Sequence, residues 1–521
     1  MSAINRRTFF KATGMAAATT LFSPSAWLRA KSSDPMAGNS AQAGQSPAKQ
    51  KALDAAKKKT VDAAIWKSYF DVRRVWGFAD QHSIEPGESF NIMLSTGPGF
   101  DKIVGRLEVS RIGYYGDHDR KLVWKSSILT IERQEIQITS ASLGVDWVPV
   151  INDMKTDGWE SGYYTIDFVI TDDDRDDSVA YIVVTNPSRS GDILLGLCTN
   201  TYNAYNAWGG YSLYESAFAG ERAQMLSFDR PATPSFFDYD YYLVLWLERI
   251  ATEHKFTIDY ATNFDIYKNP SLVERGHLFI SGCHNEYWSK EEFDAVHKRV
   301  FELGKSTIFI GANSAYWQVR YGDLNRSGKA DNMGRQLICY KSPDDPIRQR
   351  VDDKTGDLLV TTRYRDGSRL PETMLAGIAY QNYFDPGGDN LIKYPYQVSN
   401  ISLPFFHGTG WKVGDKIGDV VGYEWDNRDP DGDGKRLWDP TLSRIPAIEL
   451  NDIKVLFTGH PVDVDGHPGV AEAVYFKSPA GGQVFSSGSI RWAWGLGKPS
   501  FESDAFRTFN RNLILNFLGK A

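Results

Sequence analysis

The chain has 521 residues, and this length predicts two domains and not one. Its formal net charge of −7 at pH 7 argues against nucleic acid as the main partner. The three cysteines, Cys198, Cys283 and Cys339, are too few and too scattered for a disulfide scaffold or a C-x-x-C zinc site.

Residues 1–30 are predicted to be a twin-arginine signal peptide. Arg6 and Arg7 are followed by Thr8-Phe9-Phe10-Lys11 and then by a mildly apolar run over Ala12–Phe22. This run is too short and too rich in Ala and Thr to remain as a membrane span, and no cysteine follows it that could carry a lipid anchor. We therefore expect folded export by the twin-arginine translocase to the periplasm or the medium, without a permanent membrane anchor.

Residues 31–63 are rich in Ala, Ser, Gln and Lys and are predicted to be a flexible linker. Residues 64–188 then show short β-type runs, such as Ser89–Leu94 and Tyr163–Ile170, that are separated by turn residues. No convincing helical pattern intervenes. This segment is therefore predicted to be an immunoglobulin-like β-sandwich.

Residues 189–521 have a different pattern, in which strands alternate with helices. Ile193–Leu197 is a continuous apolar strand, Tyr241–Thr252 has helical spacing, and Ser306–Gly311 is another buried strand. Ser289 and Glu292 are spaced as a capping box at the start of a helix that ends at Gly304. The alternation predicts an α/β domain with a doubly wound parallel sheet.

Four polar segments follow predicted strands of this domain. They are Asn200–Gly210, Gly282–Ser289, Ile310–Ser314 and Gly422–Asp426. Ligands bind at the carboxyl ends of strands in open α/β sheets, so these segments predict a site that contains Tyr, Glu, His and Asn side chains. The alternative is that these polar residues only cap helices and pack loops, and composition alone leaves both interpretations open.

Several motifs together resemble the large subunit of N,N-dimethylformamidase and its relatives. The resemblance extends through both predicted domains and is carried by Arg111–Gly116, Trp159–Tyr164, Thr201–Gly210, Ser227–Pro231, His284–Ser289, Gly481–Phe485 and Gly488–Trp492. It implies an amide hydrolase that cleaves a small formamide-like substrate to an amine and a carboxylate.

The resemblance also implies one ferric ion held by two tyrosines and one glutamate. Carried over motif by motif, the ligands are Tyr164, Tyr205 and Glu286, with Tyr202 as the alternative to Tyr205. Phenolate and carboxylate oxygens are hard anionic ligands that suit ferric iron. A bound cation can also drive a tyrosine to ionise at neutral pH.

Three further residues are implied to be catalytic. Glu424 corresponds to the general base that activates water and later protonates the amine. His284 and Asn313 correspond to groups that stabilise the oxyanion. Because Tyr164 belongs to the predicted sandwich, the site is expected to lie between the two domains.

The sequence departs from the family pattern in the block around the glutamate. Cys283 stands where glycine is usual, and Asn285 stands where aspartate is usual. Such changes near a metal can alter its affinity or the choice of substrate. The chain is also predicted to lack the extra lectin-like domain of the family's large subunit, so a small partner subunit and a homo-oligomer both stay open.

Two other enzyme or binding hypotheses remain. The α/β half is similar to class I glutamine amidotransferases, so Cys283 could be the nucleophile of a cysteine-dependent amidase, although a buried, inert thiol is the favoured interpretation. The other hypothesis is a non-catalytic β-sandwich binding protein. Separately, Asp429, Asp431 and Asp433 predict either a weak calcium site or a solvated acidic turn.

Overall fold

The computed structural model describes residues 73–137, 139–171, 176–216, 221–232, 235–322, 334–384, 392–431 and 452–521. The predicted signal peptide and linker lie outside these residues. Among the described helices, none is both long and apolar enough to cross a bilayer.

The first part of the described chain consists almost entirely of strands. In chain order its elements are β1 (Val75–Ala79), β2 (Ser83–Ile84), β3 (Ser89–Thr96), β4 (Lys102–Tyr115), β5 (His118–Lys125), β6 (Leu129–Glu132), α1 (Ser140–Leu143), β7 (Pro149–Lys155), β8 (Gly162–Ile170) and β9 (Asp176–Val184). One sheet has the order β1-β3-β7, and the other has the order β2-β9-β8-β4-β5 with β6 also paired to β4.

The two sheets share one hydrophobic core. Val75 and Ile92 from the first sheet join Leu107, Ile166 and Phe168 from the second in a single buried cluster. The pattern along β4 explains this packing, because residues 103, 105, 107 and 109 are buried while 102 and 104 are exposed. This alternation gives each strand one face toward the core.

The second part alternates strands and helices. Its first elements are β10 (Ile193–Leu197), α2 (Thr199–Tyr205), β11 (Met225–Ser227), α3 (Tyr241–His254), β12 (Ile258–Thr262), α4 (Asn263–Lys268), β13 (Leu278–Ser281), β14 (Tyr287–Ser289), α5 (Lys290–Phe301), β15 (Ser306–Phe309), β16 (Trp317–Gly322) and β17 (Gln336–Ile338). The remaining elements are α6 (Thr373–Ala376), β18 (Ala379–Tyr383), β19 (Tyr394–Val398), β20 (Lys416–Val421), β21 (Glu424–Asn427), β22 (Lys454–Gly459), β23 (Ala471–Lys477), β24 (Gln483–Ser486), α7 (Trp494–Gly497) and α8 (Asp504–Phe517).

The central sheet of this part has nine strands in the order β12-β10-β13-β15-β24-β23-β22-β19-β20. The first five are parallel to one another, and the other four extend the sheet with antiparallel pairing. The mixed α/β architecture is therefore as predicted, but the sheet is parallel over only part of its width. A smaller sheet, β11-β17-β16-β14, lies beside it.

Helices cover both faces of the central sheet. Leu195 of β10 packs in one buried cluster with Leu247 of α3 and Phe509 of α8. Leu194, the neighbour of Leu195, packs in a different cluster with Phe293 of α5. Successive side chains of a strand point to opposite faces, so both faces need a helical cover.

The start of α5 differs in one detail from the capping box predicted there. The Ser289 hydroxyl accepts a hydrogen bond from the Glu292 N–H, as an N-cap does. The Glu292 carboxyl does not return to Ser289; instead it accepts two bonds from Asn263 Nδ2, each 3.0 Å long. Glu292 is therefore part of the core and not part of the cap.

Candidate active site

Polar side chains gather at the carboxyl ends of β10, β13 and β15. Helix α2 follows β10, residues 282–286 follow β13, and residues 310–314 follow β15. The last two segments touch closely at Gly311, where a Cβ would lie 2.0 Å from the carbonyl oxygen of Cys283. Only glycine permits this approach, and the polar side chains of the two loops are thereby held together.

The Glu286 carboxylate is the centre of this group. Its side chain is 2 % exposed. Tyr205 donates a 2.9 Å hydrogen bond to Oε2, whereas Tyr214 and the indole of Trp317 donate bonds of 2.7 and 2.8 Å to Oε1. Three donors in a buried pocket therefore hold one carboxylate in a fixed orientation.

Each donor is positioned by local backbone structure. Tyr205 is the last residue of α2. The Leu213 N–H donates to the carbonyl oxygen of Ala204, which brings the following Tyr214 ring onto Tyr205 with centroids 4.5 Å apart. The N–H of Trp317 donates to the backbone oxygen of Glu286, so the Trp317 indole lies next to the Glu286 carboxylate.

His284 lies on the other side of the Glu286 carboxylate and is completely buried. Its Nε2 is 3.5 Å from Glu286 Oε2 and 3.4 Å from the Tyr205 hydroxyl. Burial lowers the pKa of His284, although the Glu286 charge opposes this effect. The imidazole is therefore neutral at pH 7 and can donate from one ring nitrogen only.

A second carboxylate approaches the opposite nitrogen of His284. Glu424 Oε2 is 4.0 Å from His284 Nδ1 and accepts a 2.8 Å bond from Asn313 Nδ2. Asn313 has a φ of 56° and donates its backbone N–H to Asp426 Oδ1. Burial raises the pKa of Asp426 to about 7. The segments at residues 284, 313 and 424 thus converge on one place.

Aromatic rings close the site around His284. The Tyr239 ring is 5.0 Å from the imidazole, and the hydroxyls of Tyr239 and Tyr423 are 3.1 Å apart. On the far side of Tyr214, the Lys341 ammonium lies 3.3 Å from that ring's centroid and 4.7 Å from that of Trp317. This cation balances part of the negative charge that Glu286 brings into the protein.

The donor set fits a hard cation. Burial, followed by the Glu286 charge, raises the pKa values of Tyr205 and Tyr214 well above 10. Both phenols are therefore protonated while they donate to Glu286, and a trivalent cation would displace those two protons. Within the described ranges, no three His, Cys, Asp or Glu residues form a metal cluster, so this set depends on its tyrosines.

Tyr164, predicted as an iron ligand, is not part of this group. It lies in the core of the sandwich, where its ring stacks on Trp159 at 4.7 Å and its hydroxyl donates to the carbonyl oxygen of Glu160. Its neighbour Tyr163 faces the α/β half and stacks on Phe236. The structure therefore does not bring Tyr164 to Glu286, because a strand turns alternate side chains to opposite faces.

Tyr202, the alternative to Tyr205, is also placed elsewhere, because its hydroxyl donates to buried Asp240. The residue that sequence reasoning missed is Tyr214. It lies inside the short loop that is closed by the bridge between Tyr211 and Ser216, in an irregular segment without periodicity. The nearest signal was the glycine pair at 209 and 210, which marks a turn that reverses the chain toward α2.

The two residues that depart from the family pattern, Cys283 and Asn285, flank His284 in the chain and are both buried. Cys283 is buried and donates its backbone N–H to Asp240 Oδ1. Asn285 accepts from Asn263 Nδ2 and donates to Ser281 Oγ. Of the predicted calcium ligands, Asp429 and Asp431 are described and Asp433 lies outside the described residues.

Comparison with known proteins identifies relatives of this chain. A family model described as N,N-dimethylformamidase beta subunit-like, C-terminal, matches residues 106–505. Two N,N-dimethylformamidase beta subunits, from Paracoccus aminophilus and an Alcaligenes species, are 23 % and 22 % identical over 297 residues. Each alignment covers 54 % of this chain but 36 % of the relative, so the matched region spans about a third of the relatives' length.

Proposed function

We propose that this chain, which belongs to the N,N-dimethylformamidase beta subunit-like family, is an iron-dependent hydrolase of the C–N bond in a small N-substituted amide. One observation carries the proposal. The buried Glu286 carboxylate accepts hydrogen bonds from Tyr205 and Tyr214 beside His284, with Glu424 and Asn313 next to them. A formamide-like substrate follows from the names of the relatives.

Tyr205, Tyr214 and Glu286 are the residues that would hold the iron. Their oxygens are hard metal ligands, and the protons of the two phenols now form hydrogen bonds from the tyrosines to the glutamate. The Lys341 ammonium offsets part of the negative charge of Glu286. When bound, ferric iron supplies Lewis acidity that polarises an amide carbonyl. The burial of Tyr205 and Glu286 supports this role, since a dry site strengthens every electrostatic interaction within it.

Glu424 is the proposed general base. It takes a proton from the attacking water as the oxygen–carbon bond forms, and it returns that proton to the nitrogen as the C–N bond breaks. The products are a carboxylate and an amine. Asn313 holds the base through its 2.8 Å bond to Oε2, and neutral His284 can donate a hydrogen bond to the developing oxyanion.

Export and assembly are parts of the same proposal. The twin-arginine motif at Arg6 and Arg7 supports passage to the periplasm or the medium after folding and metal loading. The relatives are named as beta subunits, which supports assembly with a partner subunit, while a small size for that subunit and a homo-oligomer stay predictions. The acidic loop with Asp429 and Asp431 stays a secondary candidate for weak calcium binding.

A cysteine mechanism has less support. The class I glutamine amidotransferase likeness would make Cys283 the nucleophile. Burial, followed by the charge of Asp240, raises the pKa of the Cys283 thiol well above its ordinary value. A protonated, fully buried thiol is a poor nucleophile.

An amine-release assay on purified protein tests the proposed function. The substrates are formamides with one or two N-methyl groups, and the variants are Glu286→Gln and Glu424→Gln. The proposal expects turnover by the wild type and loss of turnover in both variants. Turnover that survives Glu424→Gln, or that is abolished by thiol alkylation and by Cys283→Ala, would contradict it.

A further inference from the structure

A small cavity lies where the N-terminal sheets meet the α/β half, apart from the Glu286 group. Its volume is about 40 Å³. Side chains of both halves line it, namely Phe78, His82, Tyr181, Asn203, Arg230 and Arg335. Arg230 belongs to the Ser227–Pro231 motif, for which the proposed hydrolysis has no use.

Arg230 brings a positive charge to this cavity without an acidic partner among the described residues. It is 1 % exposed, and its guanidinium donates only to neutral oxygens, including the carbonyls of Ser227 and Trp208 and both oxygens of Asn203. Burial accordingly lowers the pKa of Arg230 to about 9. Buried charges are ordinarily paired, so this cation favours an anion nearby.

Arg335 adds a second cation, which is paired with Asp229 at 2.9 Å. Its Nη2 donates to the carbonyl oxygen of Ala79. Burial raises the pKa of Tyr181 to about 12, and the charge of Arg335 opposes that rise. The two arginines and one aspartate thus leave one net positive charge around the cavity.

Two neutral donors line the same cavity. Asn203 is 6 % exposed; its Oδ1 accepts from Arg230 Nη2, while its Nδ2 has no acceptor among the described residues. Tyr181 brings a phenol to the wall of the cavity. An unpaired, buried amide N–H is costly unless a ligand or water accepts from it.

We infer that this cavity binds a small carboxylate anion such as formate. The anion would neutralise the charge of Arg230 and accept hydrogen bonds from Asn203 Nδ2 and the Tyr181 hydroxyl. The volume leaves room for about three water-sized groups, which corresponds to the three heavy atoms of formate and excludes aromatic carboxylates. Asn203 lies on α2 two residues before Tyr205, so the anion would bind beside the helix that carries the proposed iron ligand.

Calorimetric titration of the purified full chain with sodium formate tests this inference, with sodium chloride and sodium benzoate as comparison anions. Asn203→Asp is the principal variant, because it keeps the oxygen that Arg230 needs and replaces the amide donor by a negative charge. Tyr181→Phe removes one donor and keeps the ring stacking, so it serves if Asn203→Asp does not fold. Tyr242→Phe is the matched control, since Tyr242 does not line the cavity.

The expected result is saturable formate binding that weakens at least about 10-fold in Asn203→Asp and by a smaller factor in Tyr181→Phe. Binding should be unchanged in Tyr242→Phe and in Glu286→Gln. The inference is overturned by an absence of saturable formate binding, by binding that both cavity variants leave unchanged, or by binding that Glu286→Gln abolishes. Chloride or benzoate binding as tight as formate would overturn the carboxylate assignment. None of these readouts requires turnover, so they stand apart from the test of the hydrolase.

Discussion

Glu292→Gln is a sensitive test of how α5 packs against the site, because it removes an acid that is completely buried. The side-chain amides of Asn263 and Asn285, which are neutral, hydrogen bond to this carboxyl. Burial raises the pKa of Glu292 to about 8, and those hydrogen bonds oppose the rise. Glu292 is therefore protonated in the folded chain at neutral pH and ionised in the unfolded chain.

The size of the effect follows from the two pKa values. The folded value of about 8 lies about 3.5 pH units above the ordinary 4.5, which corresponds to about 5 kcal/mol at 1.36 kcal/mol per pH unit. Between pH 4.5 and pH 8 the folded chain holds a proton that the unfolded chain has released. The free energy of unfolding therefore falls by up to about 5 kcal/mol as pH rises through this window, and it is flat with respect to this group above pH 8.

Urea denaturation of wild type and Glu292→Gln between pH 5 and pH 9 measures this difference. Glutamine keeps an oxygen that can accept from Asn263 and does not ionise, so the variant should lack this part of the pH dependence. The variant should gain stability relative to wild type as pH rises, and the gain should level off above about pH 8. A difference between the two proteins that does not vary with pH would refute the reasoning.

Three other substitutions test the site. Tyr214→Phe should lower activity by about 10- to 100-fold, because it removes a hydrogen bond to a carboxylate that is worth about 1.5–3 kcal/mol. The control Tyr164→Phe should keep activity. Equal losses of amine release in the two variants would count against the structural assignment. Asn313→Asp should reduce kcat/KM at pH 8 by about 100-fold. The value of kcat/KM should recover partly at lower pH, since a protonated Asp can again donate to Glu424. A loss that does not vary with pH would contradict a positioning role for Asn313. Cys283→Ala should retain activity in the same assay, and its inactivation would favour the cysteine mechanism.

Part of the site could be predicted from the sequence because parallel strands end at one edge. Glu286 and Asn313 each follow a buried strand of the central sheet. In the structure, His284 lies between Glu286 and Glu424, and Asn313 donates a hydrogen bond to Glu424. The motif resemblance named these residues, and the strand-end rule gave the reason for them to meet.

The positions of Tyr164 and Tyr214 show where sequence reasoning stops. Tyr163 and Tyr164 are adjacent in a motif, but only the packing of both sheets determines which ring enters the sandwich core. Tyr214 lies in an irregular segment, and its place beside Glu286 depends on the backbone bond from Leu213 to Ala204. The antiparallel pairing of β23, β22, β19 and β20 was likewise unpredicted, because short loop-separated runs do not reveal their partners.

Iron analysis combined with a visible absorption spectrum tests the central claim most directly. The account predicts one iron per purified chain and a tyrosinate-to-iron charge-transfer band. That band should be lost or shifted in Tyr205→Phe and in Tyr214→Phe, and it should be unchanged in Tyr164→Phe. Purified wild-type protein that hydrolyses formamides while it is colourless and free of iron would contradict the account.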